Sequence, residues 1–352
     1  MTCPHCESTT AFRGKIVHIW PPQGHSLAKL EKALKLAGYA GVERDDLMLT
    51  VHDVEHSDLA KQFEEVFTEP ERRDSRLLVT EGERVTVSHI PRVLNVETYI
   101  VSVHGAWLED VLREERLHFH FQPIVDREQR IYGHEALVRA SYRDGTPISP
   151  AQLFSAAATP ALLASLDRQA RLGAVSHMPS MPSGTRMFIN FMPSTIYDPY
   201  YCLQSTAKAV EAIGVDPRNV VFEVVESDKV QDGEHLRNIV QFYMDNGYSV
   251  GLDDFGTGNN NLVTLLEMNP NFIKIDKAIT NRLVDDNASR GLVRDLVRQA
   301  GSRGTQVIAE GVETESEHAL CLDLGVDFFQ GFYFARPRSS FHSDAEIRGL
   351  QA

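Results

Sequence analysis

Two adjacent carboxylates, Asp253 and Asp254, separate a short apolar run from a glycine-rich turn in Gly251-Leu252-Asp253-Asp254-Phe255-Gly256-Thr257-Gly258. The run Tyr248 to Leu252 reads as a buried strand, on which neighbouring side chains point to opposite faces. Where such a strand frays at its end, both carboxylates can turn toward one pocket. Carboxylates that close repel each other unless a cation sits among them, and a divalent metal pair meets that demand. The glycines let the backbone turn away sharply. An Asp-Asp before Gly is also an ordinary exit from a strand, so the motif takes its meaning from the rest of the chain.

The elements that must position it begin after an amphipathic helix near Val103 to Leu117. Strands are expected at 119–125, 131–138, 186–191, 219–225, 247–252, 271–275, 305–309 and 327–334. Helices are expected at 150–157, 160–178, 200–213, 231–246, 261–268, 279–301 and 314–324. Strands alternating with helices imply a parallel α/β array, and a closed barrel is the natural solution for this count. Chemistry in such barrels sits where the strands end. Here the ends carry Glu135 to Arg139, Asn190, Glu223 to Glu226, Asp253-Asp254, Lys274-Ile275-Asp276, Glu310 to Glu313 and Gln330.

Each of these has an innocent reading. Glu135 can pair with Arg139, Asn190 can bond a turn, and Lys274 with Asp276 can be a solvated pair. A polar group set in apolar neighbours is nonetheless expensive unless paired or metal-bound, and seven strand ends in succession share the pattern. The donors are carboxylates and one amide, without histidine, which suits magnesium or manganese better than zinc. Two such ions can clamp a phosphodiester and activate water, with Lys274 holding the water or stabilising phosphoryl charge.

Glu135-Ala136-Leu137, Asn190, Phe222-Glu223, Asp253 to Gly258, Lys274-Ile275-Asp276, Ala309 to Glu313 and Gln330-Gly331 together resemble the EAL-domain family of cyclic di-GMP phosphodiesterases. The resemblance covers roughly Val103 to Arg338. It implies an α/β fold, a modified TIM (β/α)8 barrel with an antiparallel first strand, and hydrolysis of cyclic di-GMP to linear pGpG. It also implies two Mg²⁺ or Mn²⁺ ions. Glu135, Asn190, Glu223 and Asp253 would ligate one ion. Asp254, reinforced by Asp276 and Glu310, would serve the second ion and its water. Lys274 would position the nucleophile, while Arg139, Gln122, Gln330 and Leu137 would face the substrate. Glu226 matches the residue that steadies the loop after Asp254, and that loop's coupling to dimerisation implies a homodimer. Asn259-Asn260-Asn261 stands where Tyr-Ser-Ser is common, and Val225 where threonine is common, so control and rate are affected before the reaction is. A cyclic di-GMP receptor that does not cut, or a protein-interaction platform, are the alternatives.

Residues 1–102 form a separate expectation, a small regulatory α/β module ahead of the barrel at 103–352. Lys15–Trp20 and Asp46–Val51 read as strands, and a helix capped by Ser26 carries Leu27, Leu30 and Leu34. A second helix is expected at Asp58–Phe67, a charged loop at Thr68–Asp74, and a strand pair at Arg76–Thr80 and Val85–Ile90. Cys3 and Cys6, as C-x-x-C, with His52 and His56 have the donor types for a Zn²⁺ site. A redox pair or a disordered terminus are the other readings.

Composition bounds the partners. The chain has 352 residues, 42% hydrophobic content and a formal charge of −14, which disfavours a sequence-independent surface for a nucleic-acid polymer. No apolar run approaches the ~18 residues that span a bilayer, so no membrane partner is expected. The start is neither basic nor followed by an apolar core. Four cysteines make no disulfide framework, and a cytoplasmic location is expected.

Overall fold

A computed structural model describes residues 12, 14–82, 84–225, 233–255 and 268–349, without the side chain of Asp254. Two compact units emerge. One runs to Arg116 and includes Ser141–Leu166; the other comprises Leu117–Ala140 and the chain from Asp167 onward.

The first unit contains β1 (Ile16–Trp20), α1 (Gly24–Leu36), β2 (Val42–Asp45), β3 (Met48–Val51), α2 (His56–Val66), α3 (Glu69–Asp74), β4 (Arg76–Thr80), β5 (Leu94–Asn95) and α4 (Val96–His104). The strands form one antiparallel sheet in the order β2-β3-β1-β4-β5. Its first four strands have the βαββαβ connectivity of ferredoxin-like modules. Val17 and Ile19 on β1 enter a core with Leu27, Leu30, Leu34, Leu49, Phe63 and Tyr99. His18, between them in sequence, faces the other way and is buried between the hydroxyls of Thr50 and Thr80, each at 3.1 Å.

Several expectations for this unit need correction. Helix α1 starts at Gly24 with Gln23 as its cap, and Ser26 instead donates its hydroxyl to Glu71 at 2.7 Å. Thr68–Asp74 is a helical turn, because Glu71 accepts from the Thr68 N–H at 2.8 Å and Pro70 is pre-set for a first turn. Val85–Ile90 is no strand: a 3₁₀ turn spans Val87–Arg92, and β5 pairs with β4 in its place. Pro91 has no N–H to give a ladder.

Next come α5 (Trp107–Arg113), β6 (Leu117–Val125), β7 (Ile131–Ser141), β8 (Pro147–Ile148), α6 (Pro150–Ser155), α7 (Pro160–His177), β9 (Arg186–Phe191), α8 (Pro199–Cys202), α9 (Gln204–Ala212), β10 (Val220–Val224), α10 (Gly233–Asp245) and β11 (Ser249–Phe255). The chain continues with β12 (Phe272–Ile275), α11 (Lys277–Thr280), α12 (Asn287–Gly301), β13 (Gln306–Ala309), α13 (Glu315–Asp323), β14 (Phe328–Phe329) and α14 (Asp344–Gly349). The eight strands β6, β7 and β9–β14 close into a barrel. Strand β6 runs antiparallel to both neighbours, β7 and β14, and the other pairings are parallel. The antiparallel first strand and barrel are as expected. The span expected as one helix at 279–301 breaks into α11 and α12, where Asp286 caps the second piece through the N–H of Ala288 and Ser289. The helix expected at 261–268 lies almost wholly outside the described residues.

The barrel interior is layered by the two-residue period of its strands. Ile124, Phe188, Val221, Phe272, Ile308 and Phe328 form an apolar plug. Two residues further along the five parallel strands that supply it stand Asn190, Glu223, Lys274, Glu310 and Gln330. Alternation therefore carries the same inward face from a dry floor to a polar rim.

Candidate active site

Lys274 is the centre of that rim. Its ammonium is fully buried and lies 2.6 Å from Glu310 Oε1, 3.2 Å from Glu223 Oε1, and 3.3 Å from both Glu135 Oε2 and Asp253 Oδ1. Four strands thus deliver carboxylates to a lysine on a fifth. The ring is extended by amides. Asn190 donates to Glu135 Oε1 at 2.6 Å, and Gln330 donates to Glu135 Oε2 at 2.7 Å and to Gln122 Oε1 at 3.2 Å.

Backbone geometry explains two of these placements. Leu252 is in register with Ile273 and Phe255 with Ile275, so Asp253 and Asp254 together oppose Lys274. Two residues against one is a bulge, which re-aims a strand at its end. Gly331 follows Gln330 where any Cβ would lie 2.0 Å from the Val312 carbonyl oxygen. Only glycine lets that loop close over the rim.

The electrostatics follow from crowding in a dry place. Burial would discharge Lys274, but Asp253, Glu135, Glu223 and Glu310 hold its affinity for a proton well above the ordinary lysine value. Burial raises Glu223 well above the usual carboxylate range against the pull of Lys274, helped by repulsion from Glu135, Asp253 and Glu310. Burial likewise lifts Glu310 to about 8 although Lys274 opposes it. Glu135 behaves differently. Burial would raise it too, but Lys274 and the amides of Gln330 and Asn190 hold it below its ordinary value. The raised proton affinities of Glu223 and Glu310 mark a place where negative charge is crowded beyond what one ammonium offsets, a crowding that a further cation would relieve.

The donor chemistry fits a hard divalent cation. Among the described residues, Oδ1 of Asn190 and Oε2 of Glu223 are buried with no hydrogen-bond donor, and oxygen donors of this kind suit Mg²⁺ or Mn²⁺. As the side chains stand, the carboxylates point at the ammonium. Among the described residues, no group of three or more His, Cys, Asp or Glu is arranged around a shared metal position.

The EAL domain family matches residues 106–337 of this chain. The chain belongs to that family. Among curated EAL relatives, the probable cyclic di-GMP phosphodiesterase PdeG of Escherichia coli K12 is 29% identical over 62% of this chain and 44% of its own length. The cyclic di-GMP phosphodiesterase PdeR of the same organism is 28% identical over 66% of this chain and 36% of its own. The match thus spans less than half of either relative. A standalone EAL protein from Vibrio cholerae O395, solved in its c-di-GMP-bound form, is 28% identical with a TM-score of 0.56, covering 64% of this chain and 94% of that one. PaMucR phosphodiesterase in complex with c-di-GMP is 25% identical with a TM-score of 0.59, covering 67% and 96%.

Not every residue expected at the EAL site stands in this cluster. Asp276 follows β12, and its Oδ1 caps α11 by accepting from the Ala278 N–H at 2.7 Å. Arg139 turns its guanidinium to the Val138 carbonyl at 2.9 Å, and Leu137 is half-buried on the same strand face. The side chain of Asp254 lies outside the description, as do Glu226, Gly256–Gly258 and Asn259–Asn261. In the first unit, both ring nitrogens of His56 are engaged, Nδ1 with the Tyr99 hydroxyl at 2.7 Å and Nε2 with the Gly14 carbonyl at 2.9 Å. His52 lies outside α2, not on a shared helical turn with His56. Cys3 and Cys6 lie outside the described residues, and nothing in the described part supports a zinc site.

One supporting group was missed. On α7, Asp167 and Arg171 form a buried pair at 2.9 Å, and Arg171 also bonds the Thr206 hydroxyl. Asp167 accepts from the Met192 N–H at 2.9 Å and the Thr195 hydroxyl at 3.0 Å. This anchors the turn two residues beyond Asn190. The signal was present in the sequence, as opposite charges four apart among Leu166, Ala170 and Ala174.

Proposed function

We propose that this chain is a divalent-cation-dependent phosphodiesterase that opens cyclic di-GMP to linear pGpG. The convergence of Glu135, Asn190, Glu223 and Asp253 around Lys274 is the observation that carries this reading, and the cyclic di-GMP phosphodiesterases among its relatives support the substrate. Water adds to one phosphodiester phosphorus, the P–O3′ bond breaks, and the departing 3′-oxygen takes a proton, leaving a 5′-phosphate on the linear product.

Bound Mg²⁺ or Mn²⁺, two ions in this reading, would polarise the phosphoryl oxygens and acidify water. Glu135, Asn190, Glu223, Asp253 and Asp254 would hold them. Lys274, kept charged by Asp253 and the other surrounding carboxylates, holds the attacking water and meets the negative charge that grows on the phosphoryl group. Gln122 and Gln330 orient Glu135. Arg139 binds a substrate phosphate and Leu137 borders the nucleotide. The first unit regulates turnover, and the active form is a homodimer.

The test is incubation of the purified chain with cyclic di-GMP and Mg²⁺ or Mn²⁺, followed by separation of nucleotides. Linear product is expected. Binding without product would make the chain a receptor, and neither would make it an interaction module. Sedimentation equilibrium tests the dimer.

A further inference from the structure

The EAL match ends at residue 337, yet the chain stays on the barrel beyond it. Arg338 and Phe121 of β6 exchange backbone hydrogen bonds at 2.7 and 3.3 Å. Phe341 packs on Phe121 with ring centroids 4.1 Å apart, and meets His134 edge-on at 5.1 Å. The N–H of His342 donates to His134 Nε2 at 3.2 Å, while its own ring bonds the Arg336 carbonyl at 3.1 Å. Asp344 accepts from the Ile131 N–H at 2.8 Å. Ile347 is wholly buried.

The Arg338 bonds and the Phe121–Phe341 stack fall on β6, and the contacts to His134 and Ile131 fall on β7, the strand that carries Glu135. His134 and Glu135 are neighbours on β7, so their side chains leave opposite faces. Glu135 points inward to Lys274, and His134 points outward beneath Phe341 and His342. The inner side of Glu135 is held by Asn190 and Gln330. The outer side of its strand is held by this segment.

The barrel has a reason to need such a brace at this place. Strand β14 meets β6 through one register pair, Phe329 with Val125, whereas β9 and β10 share five. The β6–β7 hairpin is therefore lightly tied along that seam. Strand β7 pairs with β6 and, through Gly133–Ala136, with β9, so a shift of the hairpin at that seam reaches Glu135 through β7, and a ligand held loosely binds its ion weakly.

We propose that Arg338–Ile347 is a strap that positions Glu135 by clamping the outer face of β7, and so sets how tightly the rim takes a divalent cation. The cation part rests on the function proposed above. Among the described residues, the strap's hydrogen bonds and ring contacts to the barrel strands fall on the β6–β7 hairpin, so the strap acts through that hairpin.

The test uses the full chain with Phe341→Ala combined with Asp344→Ala, beside the conservative Phe341→Leu. Amide hydrogen exchange is followed in the metal-free protein, and Mn²⁺ affinity by calorimetry. In the double variant, exchange should rise within residues 131–141 and stay unchanged in β10 and β12. Mn²⁺ affinity should fall about 10-fold or more, in line with loss of groups that orient ligands. Phe341→Leu should recover most of both. Unchanged exchange in β7 with unchanged affinity would overturn the strap, as would protection lost equally from every barrel strand. If the unaltered chain takes up no Mn²⁺, the cation reading fails by itself. The exchange result then decides the strap, with selective loss in β7 supporting it and no loss rejecting it.

Discussion

The side-chain amide of Asn190 donates to Oε1 of Glu135 at 2.6 Å, joining two parallel neighbours in the barrel at their inward faces. The bond leaves Oδ1 of Asn190 buried and without a donor among the described residues. An amide orientation that satisfies a carboxylate with its nitrogen and leaves its oxygen over to the rim is suited to a cation. Asn190→Ala should lower Mn²⁺ affinity by about 10-fold or more while leaving circular dichroism unchanged. Calorimetric titration checks this, and unaltered affinity would remove Asn190 from the ligand set.

Glu135→Ala and Lys274→Ala should each reduce turnover of cyclic di-GMP by about 100-fold or more, the scale expected when a preorganised charged group is lost. The fold should persist on its apolar plug, although Lys274→Ala strands buried carboxylates and should also lower stability. Product formation and circular dichroism, measured side by side, decide the matter. Wild-type rates in either variant would refute the assigned roles.

Calcium in place of magnesium should bind the rim yet support little hydrolysis. Its larger, flexible coordination sphere holds water and phosphoryl oxygens less tightly in place. Rates with each ion, at saturating concentration shown by titration, provide the check. Equal rates would speak against the hard-cation chemistry described here.

Arg171→Met should destabilise the chain by about 3–5 kcal/mol, since it strands Asp167 in a dry interior. Adding Asp167→Asn should recover part of that loss, because the amide can still bond the Thr195 hydroxyl without carrying charge. Urea unfolding of the three proteins measures both steps. If the double variant is no better than the single, the stranded charge is not the cause.

Acidity should weaken the first unit. Burial, with the nearby His52 and His89, holds His18 below its ordinary value of 6.5. Burial also lowers His56 in spite of the Gly14 carbonyl. The unfolded chain therefore takes up these protons at higher pH than the folded one. Stability is fully present above pH 6.5 and lost as pH falls below it. Both tryptophans, Trp20 and Trp107, lie in this unit, so their fluorescence reports its unfolding midpoint in urea. His18→Gln with His56→Gln should flatten the dependence below pH 6.5. A slope that persists would place the titrating group elsewhere.

The amino-acid sequence by itself determined the barrel, its eight strands and the residues at their ends. Period-two alternation ties an inward Phe188 to an inward Asn190 and an inward Phe272 to an inward Lys274, and that relation is local. Short-range chemistry also contained the Thr68–Glu71 cap and the Asp167–Arg171 spacing. Tertiary structure alone decided which polar groups meet. Glu135 and Lys274 are far apart in the chain, and closure of the sheet brings them within 3.3 Å. The role of Asp276 as a cap depends on where α11 begins, and the engagement of both His56 nitrogens depends on Tyr99 and Gly14 arriving from separate segments. The strap could not be seen at all in a linear reading. Its contacts with β7 join residues about two hundred positions apart, and no sequence period extends that far, because only the packed barrel places them side by side.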